Sequence, residues 1–86
     1  MHKIFYTKAF LKQYNKLSSN LKNKAKKAIE LFKQNPKNPI LKSHKLEGKL
    51  KDKYSFSIDQ KNRIVFEFSN EGNFILLKIG NHDVYR

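Results

Sequence analysis

Arg63-Ile64-Val65-Phe66-Glu67-Phe68, followed after a polar turn by Phe74-Ile75-Leu76-Leu77-Lys78-Ile79, is the stretch whose reading decides the fold. The first run sets Ile64, Phe66 and Phe68 on one side and Arg63, Val65 and Glu67 on the other, the period of a half-buried strand. The second is almost continuously apolar, as for a strand at the sheet centre or covered on both faces. Working backward, Tyr54-Ser55-Phe56-Ser57-Ile58 alternates in the same way. Asp59-Gln60-Lys61-Asn62 and Ser69-Asn70-Glu71-Gly72-Asn73 are turn-formers between the runs. The pattern predicts a three-stranded antiparallel meander whose last strand delivers Gly80-Asn81-His82-Asp83-Val84-Tyr85-Arg86 to the sheet edge.

Upstream, Ile4-Phe5-Tyr6 is a short strand that the later sheet can add. Thr7 is placed to N-cap a helix carrying Phe10, Leu11, Tyr14 and Leu17 on one face. Ser18-Ser19-Asn20 breaks and recaps, and a second helix is predicted from about Leu21 to Gln34. Its stripe is Leu21, Ala25, Ala28, Ile29 and Phe32, opposite Lys22, Lys24, Lys26, Lys27 and Lys33. Such a pair forms a helical hairpin with its apolar stripe on the sheet. Asn35-Pro36-Lys37-Asn38-Pro39 stops it. Ile40 to Lys53 then reads as a connector anchored by Leu41 and Leu46, with Gly48 at a bend. The order gives an α+β domain over 1–86 with helices on one side of an antiparallel sheet. The other face is expected to be open to a ligand or partner.

Nineteen Lys and Arg against seven Asp and Glu give a net charge of +12, and only Glu30 is acidic before Glu47. That field draws polyanions, whether nucleic acid, ribosome, an acidic protein or an anionic membrane surface; solubilising an ordinary domain is the plain alternative. Seventeen of the cations are lysines, which suit backbone attraction more than base reading. No cysteine is present, which removes disulfides and thiolate metal sites. The three histidines follow no local metal-ligand spacing, so no metal and no cofactor are expected. No apolar run approaches a signal peptide or a membrane span, and a cytoplasmic location is the default expectation.

Four pieces in order resemble the RelE/ParE superfamily of bacterial toxins, in its RelE, YafQ and YoeB mRNA-interferase branch. They are the helical hairpin, the connector His44-Lys45-Leu46-Glu47-Gly48-Lys49-Leu50, the strand Arg63-Ile64-Val65-Phe66, and the close Ile79-Gly80-Asn81-His82-Asp83-Val84-Tyr85. The likeness covers nearly the whole chain. It implies a microbial RNase-type fold, cleavage of mRNA on the ribosome, and silencing by a cognate acidic antitoxin. It also implies that Arg63 contacts the scissile phosphate, that His82 is a catalytic residue, that Tyr85 is the nearby aromatic, and that His44 is functional. Where YafQ-like members carry a further histidine in the second strand, this sequence has Ile58 or its neighbours. A ParE-like inhibitor of DNA gyrase, or a member that only binds its antitoxin, is the alternative function.

Metal-free RNA cleavage needs a base for the 2′-OH, an acid for the leaving 5′-oxygen and cations on the phosphate. Histidine suits either proton task. His82 follows a buried strand and a glycine, a place that sets a side chain at the sheet rim; a surface histidine in a frayed end is the plain alternative. Arg63 falls on the face opposite the aromatic residues, where a guanidinium can clamp a phosphate. An ion pair with Glu67 or Asp59 is the other possibility. Tyr85 either stacks on a base or covers the core edge. Lys49, Lys51 and Lys53 alternate and would share one face, as a stripe for the RNA backbone or as a solvated edge. The resemblance to YoeB would make Glu47 a base, but its register matches poorly and it reads as structural or solvated; His2 reads as incidental.

Overall fold

The computed structural model describes residues 3–48 and 52–81. Their sheet has five strands: β1 (Ile4–Tyr6), β2 (His44–Lys45), β3 (Tyr54–Ser57), β4 (Asn62–Phe68) and β5 (Phe74–Asn81), in the spatial order β1-β5-β4-β3-β2. β3, β4 and β5 form the expected antiparallel meander, with Ile64 opposite both Phe56 and Ile79. β1 adds parallel to the outside of β5. The connector contributes what the sequence reading lacked, a 3-10 turn over Pro39–Leu41 and the two-residue β2, antiparallel to β3. The strand count is therefore higher than the meander plus one.

α1 (Lys8–Asn15) begins at Thr7, whose hydroxyl accepts from the Phe10 N–H at 3.1 Å and donates to the Leu76 carbonyl at 3.0 Å. One side chain thus caps a helix and ties it to the sheet. α2 (Ser19–Gln34) starts two residues earlier than expected because Ser18, outside the helix, supplies the cap to the Leu21 N–H. Its stripe Ala25, Ala28, Ile29 and Phe32 is buried against Phe56, Ile64, Phe66, Phe74 and Leu76. Phe32 is the centre of that layer. Its ring stacks on Phe56 at 4.3 Å between centroids and meets Phe66 and Phe74 edge-on at 4.9 and 4.6 Å, the two geometries aromatic rings favour. Leu41 and Leu46 are buried, as anchors of the connector should be.

The register slips once between β4 and β5. Val65 pairs with Lys78 but Phe66 pairs with Leu76, so Leu77 is the extra residue of a bulge. Strict alternation from Phe74 and Leu76 would turn Lys78 inward. The bulge shifts the phase, so Ile79 enters the core and Lys78 stays out. The Ile79 N–H donates to the Gln13 side chain of α1 at 2.9 Å.

The face away from the helices is less bare than expected. Ser55 and Val65 are buried there, and Val65 and Leu46 are buried outside the main core cluster.

Candidate functional site

Arg63 occupies the second position of β4, pairing with Ser57 on β3 and with Gly80 on β5. Its side chain lies on the face opposite Ile64 and Phe66, yet the residue is only 9% exposed. Its Nε donates to the Ser55 hydroxyl at 2.9 Å. Its Nη2 reaches the Lys42 carbonyl at 2.8 Å, the His44 Nδ1 at 3.2 Å and the Ser55 carbonyl at 3.3 Å. The carboxylates that could have paired with it are engaged elsewhere. Glu67 bonds the Lys53 ammonium, and Asp59 faces Lys24 at 3.7 Å. Nη1 takes no partner among the described residues.

The backbone explains why these groups meet. Lys42 closes the 3-10 turn in the left-handed region, at φ 48° and ψ 44°, a conformation uncommon for a side-chain-bearing residue. The turn it makes leaves its carbonyl on Arg63. Ser43 secures the same segment by donating to the Pro36 carbonyl at 3.1 Å. His44 then enters β2 directly opposite Ser55, the residue that holds the Arg63 Nε.

His44 Nδ1 lies 3.1 Å from the Lys42 carbonyl as well as 3.2 Å from Arg63. With a proton on Nδ1 it donates to the carbonyl, and Nε2 is a bare lone pair. With Nδ1 bare it accepts from Arg63, and Nε2 carries the proton. Either neutral tautomer therefore has a ready internal partner, and Nε2 is the atom left for chemistry. The side chain is exposed, so that atom is reachable from solvent.

Of the residues singled out from the sequence, Arg63 and His44 are brought into contact. Lys53 is half-buried and ion-paired with Glu67. His82, Tyr85, Lys49 and Lys51 lie outside the described residues. Two site residues escaped the sequence reading, Ser55 and Lys42. Ser55 had a signal, since alternation puts it on the Arg63 face one pair along from Ser57. Lys42 had none, because it acts through its carbonyl. Among the described residues no three of His, Cys, Asp and Glu converge as metal ligands, and no helix is long and apolar enough to cross a membrane.

The fold together with this site defines a class of protein before any particular relative. It is a small basic α+β domain in which an arginine of the central strand meets a histidine of the edge strand. Solved structures that share this architecture include bacterial toxins. YafQ from E. coli superposes with a TM-score of 0.79 at 17% identity, covering 98% of this chain and 97% of that one. YafQ in the E. coli DinJ–YafQ toxin–antitoxin complex gives 0.76 at 17% identity, over 96% and 94%. A toxin from Helicobacter pylori, solved as a copper-bound mutant, gives 0.71 at 25% identity, with 100% of both chains covered. The fold of this chain is that of these toxins. No family model matches the sequence, and no curated protein matches it.

Proposed function

We propose that this chain is the toxin of a type II toxin–antitoxin pair and that it cuts mRNA on the ribosome by metal-free attack of the 2′-OH. The observation that carries the reading is the contact between Arg63 and His44, an aimed cation beside a histidine with a free Nε2, on a fold shared with toxins. Arg63 offers Nη1 to the phosphate as it becomes crowded, and His44 moves a proton at Nε2. His82 takes the second proton task, with Tyr85, Lys49 and Lys51 at the RNA. The products are a 2′,3′-cyclic phosphate and a 5′-hydroxyl.

The partner in this reading is an acidic antitoxin, as DinJ is partner to YafQ in their complex. A groove of about 410 Å³ beside the helices suits an amphipathic acidic segment. Tyr6, Phe10, Leu11 and Ile29 line it, together with Lys26, Lys33 and Glu30, the last two paired with each other. Tyr14 also lines it, and its buried hydroxyl has no hydrogen-bond partner among the described residues.

Cell-free translation with the purified chain tests the proposal. Cleaved mRNA is expected from the natural sequence, with His44→Ala and His82→Ala each slowing cleavage by roughly 10²- to 10⁴-fold. Intact mRNA together with trapped gyrase–DNA complexes would replace this reading with the ParE-like one. Intact mRNA and no gyrase effect would leave an antitoxin-binding protein.

A further inference from the structure

A second groove, of about 520 Å³, opens at the β2 edge of the sheet. Tyr54, Phe66, Phe68 and Phe74 form its aromatic wall, and the connector residues 43–45 form the other. The rings pack against one another, with Phe68 5.1 Å from both Tyr54 and Phe74. Yet Phe68 is 48% exposed, although its strand neighbour Phe66 is buried. Lys37 and Lys45 also line the groove, and among the described residues no carboxylate does. His44 also lines the groove, whereas the Arg63 guanidinium that its Nδ1 meets lies on the face of the sheet opposite Phe66 and Phe68.

We infer that this groove is a nucleobase slot on the helix-facing side of the sheet, in which an unpaired base of the bound RNA, away from the phosphodiester at Arg63, lies on Phe68 with Lys37 and Lys45 on its flanking phosphates. The inference rests on the nuclease reading for the presence of RNA. Its own warrant is the chemistry of the wall. Aromatic faces beside lysines are what single-stranded nucleic acid uses, rings for bases and ammonium groups for backbone. The groove beside the helices differs, with aliphatic Leu11 and Ile29 in its lining and Glu30 among its lysines, which suits a protein segment better. Near the slot, Asn35 Oδ1 accepts from the Lys37 N–H and the Ser43 hydroxyl donates to the Pro36 carbonyl.

The test is equilibrium binding of a six-nucleotide 2′-O-methyl RNA, which cannot be cleaved, measured by fluorescence anisotropy. Phe68→Leu keeps the apolar volume and removes the ring; Phe68→Tyr keeps the ring. Phe68→Leu is expected to weaken binding roughly 5- to 100-fold, the range of one lost base–aromatic stack. Phe68→Tyr is expected to bind like the natural sequence, and Lys45→Gln to reduce the salt slope by about 0.7. Thermal melts of the same variants show that they are folded. Equal binding by Phe68→Leu and the natural chain would overturn the slot, as would no binding by either. So would equal occupation by an acidic peptide lost in parallel with the RNA. Because no step is cleaved here, a chain that cuts mRNA but ignores Phe68→Leu loses only the slot. One that binds through Phe68 but cuts nothing loses only the nuclease reading.

Discussion

Ser55 decides where Arg63 points. It is fully buried, and its hydroxyl and carbonyl take the Nε and part of the Nη2 of the guanidinium. An arginine so held cannot sweep solvent as surface arginines do. The entropy of aiming it is met on folding and not at each encounter with a phosphate. Ser55→Ala removes one acceptor from a buried charged donor, so the folded state should lose roughly 1–3 kcal/mol. In the cleavage assay kcat should fall while KM changes little, because the aim of Nη1 matters most when charge develops on the phosphate. Ser55→Thr restores a hydroxyl in a strand that tolerates β-branching and should recover most of both losses. Urea titration and single-turnover kinetics measure the two effects. A full loss of stability with untouched kcat would make Arg63 a clasp for the connector and nothing more.

At the scale of the element, the turn between β3 and β4 shows what was legible in the sequence. Asp59-Gln60-Lys61-Asn62 reads as a turn because Asp can bond the backbone ahead of it, and it does. Asp59 Oδ1 accepts from the Lys61 N–H at 2.9 Å, the Asn62 N–H at 2.7 Å and the Asn62 side chain at 3.0 Å. Burial pushes this carboxyl up, but those hydrogen bonds and the Lys24 charge outweigh it and hold the pKa below the ordinary 3.8. A depressed folded value means the unfolded chain binds its proton first as acid is added. The stabilisation is therefore present above pH 3.8 and is lost as pH falls through the lower folded value. Asp59→Ala should cost about 1 kcal/mol at pH 7, seen as a lower Tm, and less at pH 2. Equal melting differences at both pH values would mean that the turn needs the shape of Asp59 and not its charge. The features missed along the chain have a different cause. Leu77 is as apolar as its neighbours, so nothing in side-chain patterning marks it as the bulge residue. β2 is two residues long, too short for any period, and forms because a left-handed Lys42 redirects the backbone. Arg63 and His44 were each visible as candidates. Their contact was not, because it depends on that same redirected connector.

For the whole molecule, charge sets the terms on which the fold stands. The sequence carries +12, and the described residues hold three ion pairs, Lys24–Asp59, Glu30–Lys33 and Lys53–Glu67. Most lysines thus lack an acidic partner within the fold, and they share a body of 33 × 29 × 26 Å. At 0.01 M salt the screening length is about 30 Å, so the lysines on opposite sides repel one another across the molecule. At 1 M it is about 3 Å, and only contacts survive. Unfolding spreads the same charges along a longer chain, so the repulsion weighs more on the folded state. Added sodium chloride should therefore stabilise this protein, whereas a domain held by surface ion pairs would weaken. Between about 0.01 and 0.5 M a gain of roughly 1 kcal/mol is expected, a rise in Tm of about 4–8 °C for a domain of this size. The same repulsion should be relieved at far lower concentration by a polyanion that binds the folded surface. A short RNA or an acidic peptide at micromolar levels should raise Tm in dilute buffer, and 0.5 M salt should abolish that rise. Scanning calorimetry across the salt series checks both statements. A Tm that falls with salt would show that the ion pairs, and not the unpaired lysines, govern the electrostatics of the fold.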